Sequence, residues 1–235
     1  SIHRNVVIGD GTWIGANVVI NEGARIGKNC RIFPGAVISA IPQDLKFVGE
    51  ETTAVIEDGT TIREFVTISR GTVDKYTTVI GKNCLLMAYV HVGHDCIIGD
   101  NCILGNVVQL AGHVEVEDYV IFGGACAVQQ FSRIGAHAYI GGGSLVRKDV
   151  PPFVKAAREP LSYSGINSVG LRRRGFTNEQ INEIQEMYRY VYLRGLNNAD
   201  AISAIEGKLP VSAERDQVVD FIRNSERGIM RGSGE

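Results

Sequence analysis

Residues 80–116 read IGKNCLLMAYVHVGHDCIIGDNCILGNVVQLAGHVEV, and every sixth residue from Ile80 to Val116 is aliphatic. With two breaks, the same apolar period runs from Ile8 to Val146, and glycine often follows the apolar residue. A period of six fits neither an α-helix nor the alternation of an isolated strand. It fits a coil with three short sides whose stacked turns pair as parallel strands. The sequence therefore predicts an all-β fold, a left-handed parallel β-helix of hexapeptide repeats; the left-handed sense comes from the known repeat class.

Two segments break the apolar period, at residues 40–54 and at residues 72–78, where polar and charged residues replace the expected apolar ones. We interpret both as loops that leave a β-helix spanning residues 1–150. Long loops on a rigid scaffold are often functional. The mixed chemistry of Gln43 and Lys46 indicates that the first loop contacts a ligand, and a solvated excursion is the alternative.

A C-terminal extension, residues 151–235, follows the repeat, and its sequence is mainly helical. Thr177 and Gln180 have the spacing of a capping box, and apolar residues follow them at helical intervals. Two further helices are predicted, at 198–207 and at 212–226.

Composition excludes several classes of function. The net charge is −2, so no basic field favours nucleic acid. No apolar run reaches the roughly 18 residues of a membrane span, so we expect no stable membrane insertion. The five cysteines are an odd number without disulfide-like spacing, which favours a reducing, cytoplasmic location. Each cysteine lies two residues before an apolar position, which is typical of a small buried residue and not of a zinc ligand.

Three hexads make a coil of 18 residues, so residues 18 apart should stack. This places His94, Gly112 and Gln130 in one column, and Asp95 and His113 in the next. Such a cluster suits acyl transfer, because a histidine can act as general base, a backbone N–H can stabilise an oxyanion, and a carboxylate can orient the imidazole. The alternative is that these are surface polar residues of a repeat.

Metal binding is a second alternative for these histidines. Gamma-class carbonic anhydrases share the β-helix and bind zinc through histidines, but their paired ligands have four residues between them. Here His91 and His94 are separated by two residues, and His113 lies one coil away. We therefore predict neither a metal site nor a cofactor.

Several motifs resemble the acyl-[acyl-carrier-protein]–UDP-N-acetylglucosamine O-acyltransferases, the family that begins lipid A synthesis. They are QDLK at 43–46, HVGHD at 91–95, LAGH at 110–113, GIN at 165–167 and GLRRRGF at 170–176. The hexads alone serve many acetyltransferases, but this combination is specific to the family and extends over essentially the whole chain.

The resemblance implies transfer of an (R)-3-hydroxyacyl chain from acyl carrier protein to the 3-position of UDP-N-acetylglucosamine, without a covalent intermediate. It implies a homotrimer with sites between subunits. His94 would be the general base, Asp95 would assist it, and Gly112 would supply the oxyanion N–H. Substrate-binding residues would be Gln43, Asp44, Lys46, His91, His113, Gln129, Gln130, Gly142, Asn167 and Arg173.

Three positions depart from the family pattern. Gln129 replaces a histidine of the site wall, Ser69 replaces another histidine, and Val169 replaces a glutamate. A glutamine cannot carry a proton at neutral pH, so the alternative function is a catalytically weakened paralogue that binds ligand or acts as a scaffold. We expect Arg172–Arg174, just before the first helix, to contact the acidic carrier protein.

Overall fold

The computed structural model describes residues 1–232 and shows a left-handed parallel β-helix followed by four α-helices, which confirms the predicted fold class. Successive strands lie on different sides of the coil. The strands are β1 (Val7–Ile8), β2 (Trp13–Ile14), β3 (Val19–Ile20), β4 (Ala24–Ile26), β5 (Arg31–Ile32), β6 (Val37–Ala40), β7 (Thr53–Ile56), β8 (Thr61–Ile62), β9 (Thr67–Ser69), β10 (Thr77–Ile80), β11 (Leu85–Leu86), β12 (His91–Val92), β13 (Ile97–Ile98), β14 (Ile103–Leu104), β15 (Gln109–Leu110), β16 (Glu115–Val116), β17 (Ile121–Phe122), β18 (Ala127–Val128), β19 (Arg133–Ile134), β20 (Tyr139–Ile140), β21 (Leu145–Val146), β22 (Val154–Ala157) and β23 (Ser162–Ile166).

Every third strand pairs in parallel, so the strands form three sheets, one for each side of the coil. The first sheet runs β1, β4, β7, β10, β13, β16, β19, and the third sheet runs β3, β6, β9, β12, β15, β18, β21. The second sheet runs β2, β5, β8, β11, β14, β17, β20, β22, β23. Partners are usually 18 residues apart, as in Ile8 with Ile26 and Ile98 with Val116.

The apolar residues of the six-residue period fill the interior. Ile20, Ile38 and Leu104 are completely buried, and the five cysteines occupy small inward positions as free thiols. Burying each such aliphatic side chain contributes about 1.5–3 kcal/mol. Because a slip of one residue would turn these side chains outward, the core fixes which residues of neighbouring coils lie side by side.

Both loops leave the coil at the same edge, which we call the third corner: the turns that follow the strands of the third sheet. Residues 41–52 connect β6 to β7, and residues 70–76 connect β9 to β10. The coil keeps its register across them, since Ile26 pairs with Ile56 and Ile56 pairs with Ile80. The next turns of the third corner hold the residues predicted to be catalytic, so the loops border them.

The sheet continues past the boundary predicted at residue 150. β22 pairs in parallel with β20, with Lys155 opposite Tyr139, and β23 then pairs antiparallel with β22. The helices are α1 (Ser168–Arg173), α2 (Asn178–Tyr192), α3 (Asn198–Lys208) and α4 (Ala213–Arg223). Residues 233–235 of the predicted extension lie outside the described residues. Within residues 1–232, no helix is long and apolar enough to cross a bilayer.

Helix α1 was not expected from the sequence. Its N-cap is Asn167, whose side chain accepts a hydrogen bond from the Gly170 N–H. Arg172 and Arg173 therefore lie within the first helix and not before it. Helix α2 has the predicted capping box of Thr177 and Gln180. Six residues are too few for the apolar periodicity that identifies longer helices.

A histidine lies at the junction of coil and tail. The His137 ring stacks between the rings of Tyr119 and Phe153, at centroid distances of 5.0 and 5.6 Å. Burial, together with the charge of Arg174, lowers the pKa of His137 to about 4. The folded protein therefore keeps this imidazole neutral in mildly acidic solution.

This histidine should make stability depend on pH. Between its ordinary pKa of 6.5 and about 4, the unfolded chain binds a proton at His137 that the folded chain does not, so the free energy of unfolding should fall as the pH is lowered. A His137→Phe variant keeps an aromatic ring in the stack but has no group that titrates there. Its free energy of unfolding should therefore fall less over the same pH range. Urea unfolding of both proteins at several pH values measures the difference, and equal pH slopes would contradict this assignment.

Candidate active site

Two consecutive residues of the third corner form a buried histidine–aspartate pair. β12 ends at Val92, and the chain turns through His94 and Asp95 before β13 begins. The Nδ1 of His94 lies 2.8 Å from Oδ2 of Asp95, and the two residues are 6% and 0% exposed. Asp95 has a left-handed backbone with φ of 59°, a conformation that aspartate tolerates better than most residues.

The Asp95 carboxylate is held by the loop of residues 70–76. Thr72 donates its backbone N–H to Oδ1 at 2.9 Å and its hydroxyl to Oδ2 at 2.7 Å, and the Lys75 N–H donates to Oδ1 at 3.3 Å. Burial alone raises the pKa of the Asp95 carboxyl, but hydrogen bonds from Thr72, His94 and Lys75 outweigh it and hold the pKa below its usual range. Asp95 is therefore ionised at neutral pH.

The ionised carboxylate determines where the His94 proton resides. A carboxylate only accepts hydrogen bonds, so Nδ1 of His94 carries the proton and Nε2 keeps its lone pair. The ring packs against Gly112 of the next coil, where a Cβ would lie 2.6 Å from Cε1 and 2.7 Å from Nε2 of His94. This close approach requires glycine at residue 112.

The Gly112 N–H is available to a ligand. Within the part of the chain that the structure describes, it donates no hydrogen bond. At the corner that follows the first sheet, aspartates cap the equivalent N–H groups: Asp100 accepts from Lys82 at 2.7 Å, and Asp118 accepts from Asp100 at 2.7 Å. The uncapped N–H beside His94 can therefore stabilise an oxygen that gains negative charge.

His113 lies beside the pair, one coil further on. Its ring is perpendicular to that of His94 at a centroid distance of 5.0 Å and stacks on Phe131 at 4.4 Å. Its Nδ1 lies 3.1 Å from Oδ2 of Asp74, and its Nε2 lies 3.8 Å from Oδ2 of Asp95. His113 thus forms part of the wall around the Asp95 carboxylate.

His91 is the third histidine of the site and stays neutral. It extends from the outer face of β12, opposite Gln109, and its Nδ1 lies 2.8 Å from the hydroxyl of Thr67. Burial, and secondarily the electrostatic effect of the neighbouring His94, lowers the pKa of His91. A neutral imidazole can bind a sugar or nucleotide group by hydrogen bonding at neutral pH.

These residues line an open groove of about 340 Å³ on the third sheet. Its volume lies at the lower end of the range of small-molecule sites. It brings together five residues that the sequence predicts for the site: Gln43, His91, His94, Gly112 and Gln130. The other lining residues are Ser69, Gly93, Gln109, Leu110, Ala111, Ala127 and Val128.

Three other predicted residues lie near this corner but outside the groove. Asp44 accepts a hydrogen bond from the Lys46 N–H at 3.0 Å, so its side chain shapes the first loop, and Lys46 is exposed. Gln129 is also exposed, and its backbone N–H donates to the carbonyl of Val146.

Three predicted residues are not brought to the groove within one chain. Gly142 lies at the corner that follows the second sheet, where its Cβ position faces Gly124. The Asn167 side chain caps α1 and donates to the His137 carbonyl at 2.9 Å. Arg173 is exposed on α1.

The repeat pattern indicates no role for Thr72 and Lys75, which hold the Asp95 carboxylate. A signal was present, because a buried carboxylate needs donors and the break in the repeat comes one coil before Asp95. The break predicts a loop, but the six-residue period does not determine where a loop folds.

Three side chains of the site are of types that can also bind a metal ion. Ligand atoms of His94, Asp95 and His113 lie within 4.8 Å of one another. Both oxygens of Asp95, however, already accept hydrogen bonds from Thr72, and one accepts the His94 proton. An ion bound by Asp95 together with Nδ1 of His94 would have to replace the hydrogen bond between them, so the pair as it stands suits proton transfer.

The family models match about half of the coil and nearly all of the tail. Two stretches, residues 5–40 and 77–112, match the model of the bacterial transferase hexapeptide (six repeats). Residues 149–230 match the second domain of UDP-N-acetylglucosamine O-acyltransferase.

Named relatives are similar over most of the chain. An acyl-[acyl-carrier-protein]–UDP-N-acetylglucosamine O-acyltransferase of Thiobacillus denitrificans is 42% identical over 81% of this chain and 74% of its own length. A crystal structure of a UDP-N-acetylglucosamine acyltransferase from Bacteroides fragilis is 48% identical, with a TM-score of 0.95, over 98% of this chain and 97% of that one. The Francisella novicida UDP-N-acetylglucosamine acyltransferase is 42% identical, with a TM-score of 0.96, over 99% of this chain and 86% of that one.

The contact between Gly112 and His94 predicts the effect of one methyl group. In a Gly112→Ala variant, the new Cβ should displace the His94 ring from Asp95 and lower the free energy of unfolding by about 1–3 kcal/mol, as overpacking does. A crystal structure and urea unfolding measure both effects. Gly207→Ala, in open space on α3, is the control. An unmoved His94 ring in the Gly112→Ala variant would contradict the packing described here.

Proposed function

The chain belongs to the family of acyl-[acyl-carrier-protein]–UDP-N-acetylglucosamine O-acyltransferases, and we propose that His94, Asp95 and Gly112 carry out its reaction. The protein is an enzyme of lipid A biosynthesis that transfers an acyl chain from acyl carrier protein to UDP-N-acetylglucosamine. The hydrogen-bonded pair of His94 and Asp95 beside an uncapped N–H is the observation that supports the proposed mechanism.

In the first step, Nε2 of His94 removes the proton from the 3-hydroxyl of the sugar as its oxygen attacks the thioester carbonyl. Asp95 stabilises the imidazolium that forms, since its carboxylate accepts the Nδ1 proton at 2.8 Å. No nucleophilic side chain is needed, because the sugar oxygen itself forms the new ester bond.

In the second step, the tetrahedral intermediate collapses. The Gly112 N–H stabilises the oxyanion, which is the role of a pre-organised donor in acyl transfer. The C–S bond then breaks, and the imidazolium of His94 returns its proton to the leaving phosphopantetheine thiolate. The products are the (R)-3-hydroxyacyl ester at the 3-position and the free thiol of the carrier protein.

The remaining lining residues would bind substrate. His91 is neutral and faces the groove, so it can donate or accept a hydrogen bond, and Gln130 and Gln43 offer amides in the same groove. His113 borders the pair, with its Nε2 3.8 Å from Oδ2 of Asp95. Gln129 does not remove the base, and the named relatives are transferases; we therefore favour an active enzyme over a weakened paralogue.

We further propose that the site is completed by a second subunit of a homotrimer. The groove of one chain is open, and Gly142 lies at a different corner from His94. The resemblance to the family implies that Gly142 limits the length of the acyl-chain pocket, so Gly142 would come from a neighbouring subunit. Asp44, Lys46 and Asn167 would also complete the site in this assembly.

Exposed arginines offer a docking surface for the acidic carrier protein. Arg172 and Arg173 are exposed on α1, whereas the guanidinium of Arg174 is held against the Tyr119 ring and donates to its carbonyl at 2.9 Å. We therefore assign docking to Arg172 and Arg173.

The free thiols of all five buried cysteines favour a cytoplasmic location.

Loss of the general base should remove most of the activity. His94→Ala should lower kcat by about 10²- to 10⁴-fold, the usual contribution of a positioned general base, with a smaller change in KM for UDP-N-acetylglucosamine. An assay of acyl transfer from hydroxyacyl carrier proteins of several chain lengths measures this, and His3→Ala, at an exposed histidine, is the control. Normal turnover by His94→Ala would disprove the mechanism.

Mixed trimers test the shared site. His94→Ala lacks the base, and Gly142→Trp should block the acyl chain, so each protein alone should be inactive. In a trimer that contains both variants, about one site in three should pair an intact His94 with an intact Gly142 from the neighbour. Co-expression and purification of doubly tagged trimers should recover this fraction of activity. No recovery in verified mixed trimers would rule out the shared site.

A further inference from the structure

The loop between β9 and β10 brings one residue to both oxygens of the Asp95 carboxylate. Thr72 donates its N–H to Oδ1 and its hydroxyl to Oδ2, at 2.9 and 2.7 Å. Thr72 is 6% exposed and Asp95 is fully buried, so water does not compete for these bonds. Two donors from one residue prevent rotation of the carboxylate about its last bond.

The direction of the Thr72 hydroxyl is also determined. The N–H of Asp74 donates to Thr72 Oγ1 at 3.3 Å, so the hydroxyl proton is left to point at Asp95. The loop itself is fastened, because Lys75 Nζ donates to Glu115 at 2.7 Å. Thr72 therefore approaches the carboxylate from a fixed position.

Two imidazoles lie within reach of the same carboxylate oxygen. Oδ2 of Asp95 is 2.8 Å from Nδ1 of His94 and 3.8 Å from Nε2 of His113. A rotation of the carboxylate that brought Oδ2 nearer to Nε2 of His113 would take it away from Nδ1 of His94. The hydroxyl of Thr72, which bonds to this oxygen, opposes that rotation.

We propose that Thr72 is the positioning residue that holds the Asp95 carboxylate in hydrogen-bonding contact with His94 and prevents it from turning toward His113. This inference rests on the proposed function only in that His94 is taken as the general base. The inserted loop then supplies the hydroxyl donor that determines which of the two histidines hydrogen-bonds to Asp95.

A matched set of threonine variants tests the proposal. Thr72→Val removes the hydroxyl and keeps the shape of the side chain, and Thr72→Ser keeps the hydroxyl. As a control, Thr77→Val removes a hydroxyl that bonds to Thr53 at the start of β10. Thr72→Val should lower kcat by about tenfold to a hundredfold, a part of what a positioned base contributes. Thr72→Ser keeps both donors, and the Thr77 hydroxyl bonds to Thr53 and Thr78 instead of Asp95, so both variants should remain within about threefold of the parent.

The pH profile separates positioning from a purely structural role. In Thr72→Val, the imidazolium of His94 loses its carboxylate partner, so the acid limb of kcat/KM should move to lower pH. The other charged and titratable groups around the pair are His91, Asp74 and Lys75, together with the competing His113. All of these groups are retained in Thr72→Val, so a shift of the acid limb can be attributed to loss of the Thr72 hydroxyl. A lower kcat with an unmoved acid limb would overturn the proposal.

An NMR measurement without substrate tests the pairing directly. In protein labelled with ¹⁵N-histidine, the proton on Nδ1 of His94 should give a downfield signal. Thr72→Ser should keep this signal, and Thr72→Val should lose it. In Thr72→Val, the signal of the proton on Nε2 of His113 should move downfield instead. Signals identical in the parent and Thr72→Val would show that Thr72 does not select the partner. This result does not depend on catalysis, so it is distinguishable from failure of the acyl transfer assay.

Discussion

The site depends on one constraint: each coil must stack in register on the coil before it. The register is held by a buried column of apolar side chains on each side, and a slip of one residue would expose them. Because of it, His94 and Gly112 are neighbours although 18 residues separate them. The rigid core therefore holds the proposed base and the proposed oxyanion donor at a fixed distance.

The two departures from the repeat serve the same corner. Each loop is inserted without disturbing the pairing of the strands on either side, so the sheets tolerate it at no cost in register. One loop brings Gln43 to the groove, and the other brings Thr72 to the Asp95 carboxylate. Regular stacking places the proposed base and the uncapped N–H, whereas the irregular segments hold the Asp95 carboxylate and contribute Gln43 to the groove.

The sequence predicts the coil in more detail than it predicts the loops and the tail. Ile98 and its equivalents reveal the fold because few architectures are compatible with a six-residue apolar period, and the 18-residue coil then places His94 beside Gly112. Thr72 could not be placed, since a loop has no period from which its path can be derived. The six residues of α1 were also missed, because the Asn167 cap alone is a weak signal. Gly142 requires knowledge of how subunits meet, which the repeat of one chain does not contain.

The most direct measurement of the mechanism is a crystal structure of the enzyme with UDP-N-acetylglucosamine and an unreactive analogue of the acyl thioester. We expect Nε2 of His94 to lie within hydrogen-bonding distance, about 2.6–3.2 Å, of the sugar 3-hydroxyl. The same range is expected between the Gly112 N–H and the thioester carbonyl oxygen. A complex in which the 3-hydroxyl faces another residue, or in which the carbonyl oxygen points away from Gly112, would contradict the mechanism.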